Sequence, residues 1–134
     1  MKIKIAKYQK KLSVHNNWVI YPKPKKSFKF CIVVPCYAES KYISNLLDSL
    51  LLQNKSLIKK FAVILVVNNS DNTNKKIIND NYKTIEIIES YITKMNIFYI
   101  NAFSGKFALP KKKSGVGFAR KIGVDLFIPF LESE

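Results

Sequence analysis

The 134 residues include 23 Lys and Arg against 9 Asp and Glu, a formal net charge of +14, and 48% of them are hydrophobic. This length fits one domain or part of one, and the apolar content excludes a generally disordered chain. No apolar run approaches the roughly 18 residues of a membrane-spanning helix, and the basic N-terminus lacks the features of a signal peptide. We therefore expect a cytoplasmic protein, with Cys31 and Cys36 as reduced, buried thiols.

The proportion of lysine to arginine among the basic residues indicates which kind of anionic partner the protein can recognise. Of the 23 basic residues only Arg120 is an arginine, whereas base edges and planar phosphates are recognised chiefly by bidentate arginines. A lysine-rich surface gives solubility and nonspecific attraction to polyanions, including acidic lipid headgroups. We expect no specific nucleic-acid partner, and lysine clusters that permit peripheral contact with a membrane.

Residues 1–27 form a basic lead-in segment that contains a short apolar island at residues 18–21. We expect this island to pack partly on the domain. The two prolines of "YPKPKKS", residues 21–27, argue against regular structure there. His15, the only histidine, lies in the lead-in without a partner for catalysis.

The remaining residues, 28–134, alternate between strand and helix patterns. Strands are predicted over residues 28–34, 61–67 and 97–103, which are largely apolar on both faces, as in a buried parallel sheet. A helix with Ser40 as its N-cap follows the first strand, a second covers residues 75–93, and a third runs from about Gly115 to residue 128. The order predicts a three-layer α/β/α domain with a mainly parallel sheet and right-handed crossovers.

Polar residues follow the first two predicted strands. "PCYAE" ends the first strand, and "NNSD", which begins at Asn68, ends the second. Because the carboxyl ends of parallel strands meet at one edge of a sheet, the two loops can converge on a ligand. A purely structural interpretation stays open, with Pro35 as a strand terminator and the asparagines as a turn and helix cap.

Three segments in order, "IVVPCYAE", "ILVVNNSDN" and "SGVGFARKIGVD", resemble the N-terminal half of a family 2 glycosyltransferase with the GT-A, Rossmann-like fold. The resemblance covers residues 28–125. It implies a nucleotide-diphosphate sugar, of the UDP type, as donor and an acceptor hydroxyl that receives the sugar. It also implies that the complete family enzyme uses a divalent metal, Mg²⁺ or Mn²⁺.

The resemblance also assigns nucleotide-binding residues. Pro35, Tyr37 and Glu39 match family residues around the base and ribose, with Tyr37 offering a ring face and Glu39 accepting hydrogen bonds. Asn68 falls where the family usually has an Asp that reads the uracil imide, and an amide both donates and accepts. Arg120 would hold a base carbonyl or phosphate oxygens; the alternative is an ordinary surface arginine.

The third segment matches the family's Gly-x-x-x-Ala-Arg-Asn-x-Gly helix start. Two positions depart from the family pattern, Lys121 in place of Asn in this segment and Ala38 in place of the commoner Asn of the first. These departures bear on nucleotide specificity more than on the fold. Besides Arg120, the matching residues are Gly115, Gly117, Ala119 and Gly123.

The family's chemistry further requires an Asp-x-Asp motif for the metal and a later carboxylate as general base. The sequence contains no Asp-x-Asp, and its near match Glu132-Ser133-Glu134 follows Arg120 too closely to leave room for helix, turn and strand. We therefore expect a truncated chain that keeps the nucleotide-binding subsite, has no catalytic residues or metal site, and is inactive by itself. The alternative hypothesis is a small basic nucleotide- or polyanion-binding module without catalysis.

Overall fold

The computed structural model describes residues 17–132, which form an α/β domain around one sheet. Three parallel strands pair in the spatial order β4-β3-β2, and β1 joins the free side of β4 in antiparallel orientation. The predicted mainly parallel sheet is confirmed. The strands are β1 Ile20–Tyr21, β2 Phe30–Cys36, β3 Phe61–Asn68 and β4 Ile97–Ala102. The first 16 residues of the lead-in, including His15, and the last two residues, Ser133 and Glu134, lie outside the described residues.

The helices cover both faces of the sheet, which gives the three layers. They are α1 Ile43–Leu51, α2 Lys55–Ile58, α3 Lys75–Glu89 and α4 Val116–Phe127. Helices α1 and α3 pack on one face and α4 on the other. Among the described residues, no helix combines the length and the apolar character that crossing a bilayer requires.

Strand β3 is the centre of the core, and all eight of its residues are buried. Its side chains alternate between the layers: Ile64 and Val66 face the α4 cluster, whereas Leu65 and Val67 face the α1 and α3 cluster. Full burial of each such side chain stabilises the fold by roughly 1.5–3 kcal/mol relative to exposure. This double-sided burial explains why the strand has an uninterrupted apolar sequence.

Helix α4 lies very close to the sheet because Gly123 has no side chain. A Cβ at this position would stand 2.5 Å from Cγ1 of Val33 and 2.9 Å from Cγ2 of Val66. The glycine that the sequence aligned with a family motif therefore permits close packing of helix on strand. This packing fixes the position of the amino end of α4 relative to the strand ends.

The apolar island of the lead-in joins the sheet. Trp18 is buried and its indole N–H donates to the carbonyl of Phe107 at 2.9 Å, while Ile20 pairs with Ile100. The island thus packs on the domain as expected. Strand β1 was not predicted, because two residues followed directly by a proline carry no periodic signal.

Two local predictions around the first strand were wrong. Strand β2 begins at Phe30 rather than residue 28, because Phe28 bonds through its backbone to Phe130 and Glu132 instead of to β3, and it runs on to Cys36 rather than ending at residue 34. Pro35 is tolerated because β2 is an edge strand. Ser40 does not cap α1, which begins at Ile43 without a side-chain cap.

Candidate functional site

A cleft of about 490 Å³ opens at the carboxyl edge of the sheet, beyond the ends of β2 and β3. This volume is typical of small-molecule sites. Three separate segments of the chain form it: the β2–α1 loop, the end of β3 and the amino end of α4. Its lining residues are Pro35, Tyr37, Glu39, Asn68, Asn69, Ser70, Ser114, Gly115 and Val116.

The β2–α1 loop presents an aromatic ring and a carboxylate to the cleft. Tyr37 is 48% exposed, and Glu39 is half-buried. The backbone carbonyl of Glu39 accepts hydrogen bonds from the N–H groups of Tyr42 and Ile43, both at 3.0 Å, so the loop leads directly into α1. The loop therefore offers a stacking surface and a hydrogen-bond acceptor from a fixed backbone.

Asn68 is buried at the end of β3, and its side-chain orientation is fixed by two carbonyl groups. Its Nδ2 donates to the carbonyls of Cys36 and Val66, both at 3.1 Å. Both amide hydrogens are thus committed within the protein. The sequence suggested a side chain that donates and accepts toward a ligand, whereas the structure leaves only Oδ1 for that purpose. An aspartate at this position, as the family usually has, would place a carboxylate oxygen against two carbonyl oxygens with no hydrogen to bond them.

Asn81 of α3 joins the two strand ends that border the cleft. It is fully buried; its Oδ1 accepts from the N–H of Ala38 at 3.1 Å, and its Nδ2 donates to Asn68 O at 3.1 Å and Asn69 Oδ1 at 2.8 Å. Ala38 has a φ of 51°, in the left-handed region that non-glycine residues rarely adopt. The bond to Asn81 therefore helps to hold a loop conformation that the chain would otherwise disfavour.

Asp80, which precedes Asn81 on α3, also bonds to the β2–α1 loop. Asp80 accepts hydrogen bonds from the hydroxyl of Ser40 at 2.6 Å and from its backbone N–H at 3.0 Å. Ser40, which the sequence placed as a helix cap, thus anchors the β2–α1 loop to α3 instead. Two consecutive residues of one helix set the position of the loop that carries Tyr37 and Glu39.

Sequence reasoning missed Asn81, although the pattern contained a signal. Asn81 lies three residues after Ile78 and seven before Ile88, in line with the apolar stripe of α3. A polar residue within an apolar helical stripe is buried and must find hydrogen-bond partners. Those partners come from two other segments of the chain and could not be identified without the fold.

The amino end of α4 closes the cleft on its third side. Gly115 adopts a φ of 109°, which L side chains rarely adopt, and no side chain of the described chain caps this helix. The first N–H groups of a helix have no intrahelical acceptor, and the helix dipole adds partial positive charge there. The end of α4 is therefore suited to an anionic group in the cleft.

Arg120 does not line the cleft, unlike the other four residues singled out as nucleotide-binding. It lies exposed on α4, one turn after Val116, which does line the cleft. Because residues four apart share a helix face, Arg120 is on the same face of α4 as Val116, and helical side chains lean toward the amino end. Lys121 likewise lies outside the lining, and its ammonium pairs with the buried carboxylate of Asp125 at 3.0 Å.

Cys36 lies at the end of β2, beside the cleft, but it is not a nucleophile at neutral pH. Burial, with a smaller contribution from the charge of Glu39, raises the pKa of its thiol to about 12. Burial also raises the pKa of Cys31, and both cysteines are free. Because the thiolate is the reactive form, these residues act as apolar side chains.

The residues of the cleft do not fit a divalent metal ion. Mg²⁺ and Mn²⁺ take several oxygen ligands, usually with more than one carboxylate. Glu39 is the one carboxylate in the cleft lining, and residues 17–132 contain no group of three or more His, Cys, Asp or Glu that could hold a metal.

Comparison with known proteins identifies a family. The model of the family described as "Glycosyl transferase family 2" matches residues 31–123, which span β2 through most of α4. The match includes all five residues that the sequence assigned to nucleotide binding. No curated protein and no solved structure matches the chain significantly.

Proposed function

The chain belongs to glycosyl transferase family 2, and we propose that its cleft binds the nucleotide part of a nucleotide-sugar donor. The observation that carries this proposal is the convergence of a tyrosine ring, a buried amide oxygen and an uncapped helix end on one cavity. A nucleoside diphosphate needs these three features: a surface for the base, an acceptor for its N–H group, and positive potential for its phosphates.

The base lies against Tyr37 in this arrangement. Stacking of a base on an aromatic side chain is worth roughly 1–3 kcal/mol. Asn68 Oδ1 accepts a hydrogen bond from the base, since its two amide hydrogens are already used. An acceptor suits the N3–H group of uracil, which supports a UDP-type donor. Glu39 accepts hydrogen bonds from the ribose hydroxyls.

The diphosphate lies at the amino end of α4. Gly115 and Val116 line the cleft there, and no side chain caps the first N–H groups of the helix, so these groups are suited to the phosphate oxygens. Arg120, one turn further along the same helix face, reaches back to the phosphate oxygens or a base carbonyl. Lys111, Lys112 and Lys113, all exposed just before α4, raise the local positive potential.

In family chemistry the acceptor hydroxyl attacks the anomeric carbon of the sugar and the nucleoside diphosphate leaves. Such a step requires a group that neutralises the leaving diphosphate and a base that takes the hydroxyl proton. The metal-binding Asp-x-Asp is absent from these 134 residues. We propose that these residues bind the donor and that the 134-residue chain does not transfer the sugar.

The cellular setting follows from the ligand and the cysteines. We place the protein in the cytoplasm, where nucleotide sugars are dissolved and where free thiols such as Cys31 and Cys36 stay reduced. Lysine clusters bring it into peripheral contact with anionic membranes.

Isothermal titration of the purified chain with UDP tests the proposed function. We expect binding, and we expect Tyr37→Ala and Arg120→Ala each to weaken it by roughly 10-fold to 100-fold, as lost stacking and a lost charge-assisted bond predict. Tyr42→Ala is the matched control, because Tyr42 is 65% exposed in the same segment but does not line the cleft.

Two results would contradict the proposal. One is the absence of UDP binding by the folded chain. The other is tight, salt-sensitive binding of single-stranded RNA that none of these substitutions affects, because it would favour the polyanion-binding module instead.

A further inference from the structure

A second pocket, of about 450 Å³, lies at the opposite edge of the sheet. It is bordered by the α1–α2 segment and by the turn that leads from α3 into β4. Its position at the amino ends of the strands is fixed by Asn96, which precedes β4 and whose carbonyl accepts the N–H of Val63 at 2.9 Å. The lining is aliphatic and basic: Leu51, Ile58, Ile92 and Met95, with Lys55, Lys59, Lys94, Thr93 and Asn96.

The rim of this pocket carries exposed apolar side chains. Leu52, next to Leu51, is 86% exposed, and Leu57 on α2 is 37% exposed. One exposed leucine is ordinary in a soluble protein, but apolar side chains grouped beside an open aliphatic pocket indicate an interaction surface.

The charge around this pocket is positive. Three lysines line it and no carboxylate does. Asp48 near the end of α1 accepts from the hydroxyl of Tyr91 at 2.6 Å, and Glu89 at the end of α3 accepts from that of Tyr99 at 3.4 Å, and neither carboxylate lines the pocket. The surface therefore combines aliphatic groups with ammonium groups and matches a partner that is anionic outside and apolar beneath.

We propose that this amino-edge surface, defined by Lys55, Lys59, Lys94, Leu52 and the pocket between them, docks on an anionic lipid bilayer. The lysines lie among the headgroup phosphates, and Leu52 enters the interfacial region below them. Single-stranded nucleic acid is a weaker alternative as the partner of this surface, because proteins that bind it use aromatic side chains for stacking and arginines. This pocket is lined by neither.

The docked orientation has a consequence for the cleft. The eight residues of β3 separate the two edges by about 25 Å, since a strand rises about 3.3 Å per residue. A protein that docks by its amino edge therefore keeps the carboxyl-edge cleft open to water. The docking proposal assigns the proposed membrane contact to one surface, and it stands independently of the proposed nucleotide binding because it uses none of the cleft residues.

Co-sedimentation of the full chain with vesicles tests this inference. We use vesicles of phosphatidylcholine alone and of phosphatidylcholine mixed with phosphatidylglycerol. The wild-type chain partitions onto the mixed vesicles only. Replacing Lys55, Lys59 and Lys94 together with Gln lowers the partition coefficient on the order of 100-fold, since each lysine near an anionic surface contributes about a factor of five. Leu52→Asn, which leaves the charge unchanged, lowers it roughly 3-fold to 10-fold.

The matched control is the triple replacement of Lys111, Lys112 and Lys113 with Gln, which removes the same charge near the opposite edge. This variant retains most of the vesicle binding if the amino edge is the docking surface. Equal losses in the two triple variants, or no effect of Leu52→Asn, would overturn the proposal in favour of nonspecific attraction. Preferential binding of single-stranded RNA through the same lysines, without binding to the mixed vesicles, would also overturn it. Circular dichroism melting of each variant confirms that it folds.

Discussion

The two edges of the sheet are built differently. At the carboxyl edge, buried amides of Asn68, Asn69 and Asn81 connect strand ends, loops and helix through bonds of 2.8–3.1 Å. At the amino edge, the pocket is bordered by aliphatic and lysine side chains. The longer bonds that Asn96 donates there, to the carbonyls of Ile58 and Phe61, measure 3.4 and 3.5 Å.

The contrast matches the kinds of partner that the two proposals assign to the edges. A buried amide is costly unless it is fully bonded, and once bonded it specifies one arrangement of the groups around it. The carboxyl edge therefore holds its cleft in shape before a ligand arrives, which is suited to a small molecule of defined geometry. Aliphatic and lysine side chains adapt to their surroundings, so the amino edge is suited to a soft surface rather than to a shaped ligand.

The largest effect that we expect comes from Asn81→Leu. The substitution leaves the N–H of Ala38, the carbonyl of Asn68 and Oδ1 of Asn69 without their buried partner. At roughly 1–3 kcal/mol for each such group, with partial relaxation, the free energy of unfolding falls by about 3–5 kcal/mol. Urea titration followed by circular dichroism measures the loss.

Asn96→Leu is the control for that measurement at the other edge. Its two side-chain bonds are long and half-exposed, so we expect a loss of about 1 kcal/mol or less. Equal losses in the two variants would contradict the difference between the edges.

A smaller effect concerns alkaline pH. The folded protein keeps the proton of Cys36, whose pKa is raised to about 12, whereas the unfolded chain loses it near pH 9. Folding therefore binds a proton above pH 9, and the free energy of unfolding falls as the pH rises through this window. The contribution reaches about 2 kcal/mol by about pH 10.5.

Urea titrations of the wild type and Cys36→Ala at several pH values isolate this contribution, because the other titrating groups are common to both proteins. The variant should show the shallower decline. Parallel curves for the two proteins would mean that the thiol at the end of β2 is not shielded from water in the folded state.

The sequence predicted the three parallel strands because runs such as "FAVILVV" are buried on both faces and leave a strong local signal. It predicted from the same signal that Pro35, Tyr37, Glu39 and Asn68 would meet, since parallel strands end at a common edge. It could not predict that the side-chain amide of Asn68 donates both of its hydrogens to the backbone carbonyls of Cys36 and Val66. Such bonds depend on the register between strands, which no single segment specifies.

Three other features could not be predicted, because each depends on contacts between segments that are distant in the sequence. Ser40 has the residue type of a helix cap, but α1 begins only at Ile43 and the hydroxyl of Ser40 donates to Asp80 on another helix. Arg120 matched a family motif, yet the motif fixes only its place on α4. In the structure its side chain does not line the cleft. The amino-edge pocket arises between α1, α2 and the α3–β4 turn, and no motif marks it.

The most direct test of the central claim is a map of backbone amide chemical shifts during titration with UDP. The account predicts changes concentrated in residues 37–40, 68–71 and 114–117, the three segments around the carboxyl-edge cleft, and unchanged shifts in residues 55–59 and 93–96 at the other edge. Shift changes centred on the amino-edge residues, or none in the folded protein at saturating UDP, would contradict it.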